Sequence, residues 1–137
     1  MHLRLTHLNI NNMETIIIIC GFYNIAFALF HVGFWKMFKW DIELKKLSFS
    51  NKGIMQILNI QISYYFIMTA IICFVFPAEL LTTKLGNWFL IGNSIFWLIR
   101  TIQQFVFLRA NHFKIHMLTF IFLIGTILFL LPILLRS

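Results

Sequence analysis

One arginine, Arg100, stands inside the apolar stretch NWFLIGNSIFWLIRTIQQFVFL, which is otherwise free of charge. A guanidinium is costly to hold away from water, so an arginine at membrane depth marks a functional site by default. Its planar fork of donors suits a carboxylate or phosphate gripped through two parallel bonds. The apolar stretches hold no acidic partner for it. Asp41 and Glu43 sit in a connector, while Glu14 and Glu79 lie toward the opposite side. The guanidinium must therefore meet amide carbonyls, water or an anion. His31 and His116 are the other residues with chemistry to offer. Two facing histidines in a helical bundle can ligate haem iron axially, or a single imidazole can carry a proton. No carboxylate pair, Ser-His-Asp set or metal-ligand cluster falls in the apolar stretches, so hydrolytic chemistry is not expected and an enzyme is not the leading reading.

Helical spacing decides which polar residues share a face. Asn24 and His31 are two turns apart in the first stretch. Gln56, Asn59 and Ser63 follow one stripe of the second. In the third, Asn93, Arg100 and Gln104 share a face and Gln103 adjoins it. His112, His116 and Thr119 form the stripe of the fourth. Four such stripes turned inward make the polar interior of a bundle, whereas turned toward lipid they would be very costly. The bland reading is that Asn, Gln and Ser register helices through hydrogen bonds worth about 0.6–2 kcal/mol each.

The elements that position these residues follow from composition. The 137 residues are 61% hydrophobic and only 11% charged. A soluble domain carries roughly 25% charged residues, so the bilayer is the expected solvent. The expected fold is all-α, an integral membrane antiparallel four-helix bundle with spans near 14–34, 54–76, 88–108 and 113–135. Each is about 30 Å of helix, the thickness of the hydrocarbon core. The runs do not alternate as barrel strands would. Residues 1–13 form a polar N-terminal tail and 14–137 a single four-helix transmembrane domain. Met13 is an alternative start to Met1. Ala26-Phe27-Ala28 has signal-cleavage form, but Glu14 and the apolar residues beyond it argue against that reading.

The connectors carry the charge. Lys36, Lys39, Lys45, Lys46 and Lys52 lie in the first, and Arg109 and Lys114 about the third. Arg4, Lys84 and Arg136 lie on the other side. The excess places connectors 35–53 and 109–112 in the cytoplasm and both termini outside. A bacterial inner (plasma) membrane is the expected location. No basic run is interleaved with polar readers, so nucleic acid is not an expected partner. The first connector, FWKMFKWDIELKKLSFSN, reads as a short interfacial helix anchored by Trp35, Lys36, Lys39 and Trp40, with Ser48, Ser50 or Asn51 capping the second span. An ordinary anchor is preferred here to a specific acidic-lipid site. Cys20 and Cys73 fall at similar depth, as a disulfide or, preferably, as two buried thiols. Val75-Phe76-Pro77 ends the second span and Leu130-Leu131-Pro132 lies near the end of the fourth, and Gly21 with Asn24 resembles Gly92 with Asn93, the pattern of a weak duplication.

The runs FHVGFWKMFKW, LSFSNKGIMQILNI, PAELLTTKLG and FWLIRTIQQ resemble a group of small four-span bacterial membrane proteins of unknown function, over residues 21 to 135. The architecture is also similar to that of DoxX-like four-helix membrane proteins, without their signature. The first resemblance implies His31, Trp35, Lys36, Asn51, Gln56, Asn59, Glu79, Arg100 and Gln104 as the shared positions. Neither implies a reaction.

The leading expectation is a binding protein. A cytoplasm-facing polar pocket of Arg100, His31, Asn59, Gln56, Gln104, Gln103, Asn24 and His116 would hold a small anionic or amphiphilic ligand, such as a lipid or quinone headgroup. The chain would act as a transporter, in a homo-oligomer, or as an accessory subunit of another membrane complex. No metal or cofactor is expected on this reading. The alternatives are a redox protein with haem b between His31 and His116, and a structural partner subunit whose stripes only register helices.

Overall fold

Long runs of Ile, Leu and Phe with few breakers favour one conformation, because a helix bonds its backbone within a single segment. The computed structural model is all-helical, with 93% helix and no strand among the described residues. The structure describes residues 2–108 and 112–136, with side chains over 12–108 and 112–135. Met1, Arg109 and all but His112 of the expected connector 109–112 lie outside the described residues. The helices in chain order are α1 (His2–Val32), α2 (Phe34–Met37), α3 (Trp40–Glu43), α4 (Phe49–Val75), α5 (Pro77–Thr82), α6 (Lys84–Phe107) and α7 (Phe113–Arg136), with a 3-10 turn at Leu44–Lys46.

Among the described residues three helices are long and apolar enough to cross a membrane: α1 over Asn12–Val32, α4 over Phe49–Val75 and α7 over Phe113–Leu135. The expected third span corresponds to α6. Its 24 residues reach about 36 Å, but its polar face leaves it less apolar than the other three. Helix α1 begins at His2, so backbone expected as a tail is helical. Nothing in residues 2–12 is Gly or Pro, and extending an existing helix adds one bond per residue fixed. Two compact units divide the chain, Met1–Cys20 with Cys73–Ser137, and Gly21–Ile72.

In the first unit α6 and α7 form an antiparallel pair. The Ser94 hydroxyl donates to the Thr126 carbonyl at 2.9 Å, and the Trp97 ring stacks on Phe122 at 5.9 Å. Positions that rise along α6 thus meet positions that fall along α7. Pro77 opens α5 at its first turn, where a missing amide costs nothing. Thr83 then caps α6 by accepting from the Gly86 amide at 2.9 Å. Gly86 is required by close approach: a Cβ there would lie 2.4 Å from the Leu80 Cα.

Pro132 lies inside α7, and its missing amide withdraws the usual partner of the carbonyl four residues earlier. That carbonyl, Leu128 O, accepts instead from the Cys20 thiol at 3.5 Å. Cys20 and Cys73 are both buried and form no disulfide. The thiol of Cys20 is therefore more than a small hydrophobe.

In the second unit the last part of α1 runs antiparallel to α4. Phe27 meets Phe66 with ring centroids 5.6 Å apart, and His31 meets Asn59. The expected single interfacial helix between them is broken into α2, α3 and the 3-10 turn. The break is Lys39, at φ 49° and ψ 47°, the one left-handed non-glycine among the described residues. Ser48 is the residue that caps α4, accepting from the Asn51 amide at 3.4 Å.

Gly86→Ala lowers stability by about 1–3 kcal/mol through overpacking. Gly92→Ala, where a Cβ meets nothing within 4 Å, leaves stability unchanged or raises it. Thermal unfolding of the detergent-solubilised chain, followed by helical circular dichroism, separates the two. In the same assay Cys20→Ser keeps a donor for Leu128 and holds wild-type stability, whereas Cys20→Ala loses about 1 kcal/mol.

Candidate functional site

Four polar side chains of α6 and α7 bond back to their own helices. Thr101 donates to the Trp97 carbonyl at 2.9 Å, Thr119 to Ile115 at 3.0 Å and Thr126 to Phe122 at 3.2 Å. The Asn93 amide does the same toward Phe89 at 2.9 Å. Each bond runs back one turn within its own helix, the usual refuge of a short polar side chain away from water. These residues need no ligand.

Arg100 and Gln104 differ. They stand one turn apart on α6. Arg100 Nη1 donates to Gln104 Oε1 at 3.3 Å, a long bond. The guanidinium carbon lies 4.6 Å from the centre of the Phe122 ring, in reach of its negative face. Arg100 is half-buried, and no carboxylate among the described residues pairs with it. Gln104 is only 1% exposed, and among the described residues no acceptor meets its Nε2. A buried amide donor without an acceptor costs about 1–3 kcal/mol. The pair therefore presents N–H donors and a positive charge, with no negative group to meet them. An anionic or strongly accepting group is what this arrangement can hold.

Phe122 and Trp97 were not legible as parts of this site from polar spacing. The signal was present for Trp97, which lies one turn from both Asn93 and Arg100 on the face that α6 buries. Phe122 is placed only by the pairing of α6 with α7. Gln103 is exposed and points away from that buried face, and His116 on α7 is also exposed.

The second unit builds a different cluster. The Asn59 amide donates to the His31 carbonyl at 3.1 Å, satisfying one of the last carbonyls of α1. That bond turns the Asn59 oxygen toward the imidazole, where it lies 2.9 Å from Nδ1. A carboxamide oxygen only accepts, so Nδ1 carries the hydrogen and the lone pair of the neutral ring is on Nε2. Phe34 stacks on the ring at 4.4 Å and Phe66 tilts against it at 5.5 Å. Ser63 donates to the Asn59 carbonyl at 2.7 Å. Asn24 is buried in α1 and Gln56 half-buried in α4. Of the expected anchors, Trp35, Lys36 and Lys39 are exposed, but Trp40 is buried, with Phe34 and Trp35 each 5.8 Å from it. The left-handed turn at Lys39 folds the indole inward rather than letting a straight helix carry it outward. Among the described residues no group of three His, Cys, Asp or Glu side chains lies together.

The His31–Asn59 geometry predicts a single tautomer. Nitrogen NMR of the imidazole in its neutral form shows a protonated Nδ1 and an unprotonated Nε2, and Asn59→Leu returns the ring to a mixture of the two.

Comparison with known families, with characterised proteins and with solved structures finds no match for this chain.

Proposed function

We propose that this chain is a multi-pass integral membrane protein whose Arg100–Gln104 pair binds the anionic headgroup of a lipid-like ligand. Four spans, α1, α4, α6 and α7, would form an antiparallel bundle. Three of these helices are long and apolar enough for that role. The fourth, α6, is the one that carries the charge. The lysines of connector 35–53 favour a cytoplasmic position for it, which puts both termini outside and suits a bacterial plasma membrane. The observation that carries the binding reading is a half-buried guanidinium beside a buried carboxamide donor, the first without a carboxylate and the second without an acceptor among the described residues. Such a site holds a phosphate, a carboxylate or the carbonyl of a quinone. It suits an accessory subunit that keeps an amphiphile in place, or one protomer of a transporter built from several copies.

The His31–Asn59 cluster favours a second reading. A histidine whose Nδ1–H is held by a fixed acceptor resembles a metal-ligating imidazole oriented by its neighbour. Haem iron would be its partner in a redox protein. A Soret band lost in His31→Ala supports this reading, and a colourless purified protein removes it.

The binding reading is tested by titrating the purified protein with phosphatidylglycerol or phosphatidylcholine and following thermal unfolding. The anionic lipid raises the unfolding temperature of wild type, and Arg100→Gln abolishes that rise. Should Arg100→Met bind as wild type does and unfold at a higher temperature, the arginine is a structural burden and the partner-subunit reading replaces this one.

A further inference from the structure

The segment between α1 and α4 is folded as a device rather than a linker. Trp40 is 6% and Leu44 2% exposed, so two side chains pin the turn from within. Around them, Trp35, Met37, Phe38 and Ile42 are about half exposed, and Phe49 is 93% exposed. Water-facing turns do not gather bare indole and phenyl rings in so short a stretch, whereas headgroup zones do. The charges point the same way. Lys46 is paired with Glu43 at 2.7 Å. Among the described residues Lys36, Lys39, Lys45 and Lys52 have no carboxylate within 4.0 Å, and Asp41 is the one unpaired acid of the segment. Lys39 adds a separate observation. Its left-handed backbone is the position where glycine or asparagine is cheapest. The lysine at this strained position is exposed.

We propose that residues 34–52 form a recognition surface for anionic phospholipid headgroups, with aromatic side chains seated among the acyl-chain ends and the unpaired lysines on the phosphates. The proposal rests on the membrane reading above but not on the Arg100 site. Orientation of the helices alone would need only the count of lysines. It would not need four of them clear of their local acids, nor a strained backbone that presents one.

The test uses the whole chain with Trp88→Phe, which removes the exposed indole near the start of α6 and leaves Trp35 as the exposed reporter. The protein is reconstituted in mixed phosphatidylglycerol and phosphatidylcholine vesicles in which one lipid or the other carries brominated chains. In dilute salt, brominated phosphatidylglycerol quenches roughly two- to fivefold more strongly than its share of the mixture predicts, and the excess fades as salt screens it. Exchanging Lys36, Lys39 and Lys45 together for Gln removes the excess, and exchanging them for Arg retains it. Equal quenching by the two lipids at every salt concentration overturns the proposal and turns attention to an acidic protein partner. No quenching by either lipid overturns it together with the membrane reading. The salt titration on the native lysines decides the matter even if the triple variant fails to fold.

Discussion

A guanidinium half withdrawn from water is the constraint around which the first unit is arranged. Its charge cannot be neutralised by a local acid, so the unit softens its cost by other means. The Phe122 ring offers its negative face at 4.6 Å, and Gln104 offers a carbonyl at 3.3 Å. Both depend on the register of α6 against α7. That register is set by Ser94 bonding across to Thr126 and by Trp97 stacking on Phe122. A shift of one residue would move the ring from under the arginine. Two weak partners do not match what water or an anion gives a guanidinium, and the difference is the free energy a ligand can recover.

The second unit answers two polar groups with one side chain. Asn59 closes a helix-end carbonyl with its amide and fixes an imidazole with its oxygen. One side chain thus ties α1 to α4 and sets the proton of His31. The broken segment that follows is held by two buried side chains and leaves its lysines outward. Its chemistry is that of a charged surface, in contrast to the enclosed donors at Arg100.

Much of this was readable in advance because composition and period are local properties. The helices fall close to where apolar runs placed them, and Arg100, Gln104, His31 and Asn59 could be named from spacing alone. The contact of Arg100 with Gln104 follows from their one-turn spacing on α6, whereas the pairing of His31 with Asn59, rather than with His116, needed the packing of α1 on α4. What the sequence concealed is non-local or conformational. Phe122 is one of 17 phenylalanines, and only the packing of α6 on α7 distinguishes it. Cys20 bonds Leu128, whose carbonyl Pro132 leaves without its usual partner, a relation between one turn of α7 and a residue 108 positions away. The left-handed turn at Lys39 carries no glycine to announce it, so a continuous helix was the natural expectation. The start of α1 at His2 reflects helix propagation, which polar composition does not oppose.

The central claim is that Arg100 holds an anion in the native protein, and native mass spectrometry of the chain extracted in mild detergent tests it most directly. The account predicts a wild-type spectrum in which each chain retains one anionic amphiphile through gentle activation, and an Arg100→Gln spectrum of bare polypeptide. Identical spectra from the two proteins, with or without bound lipid, would contradict it.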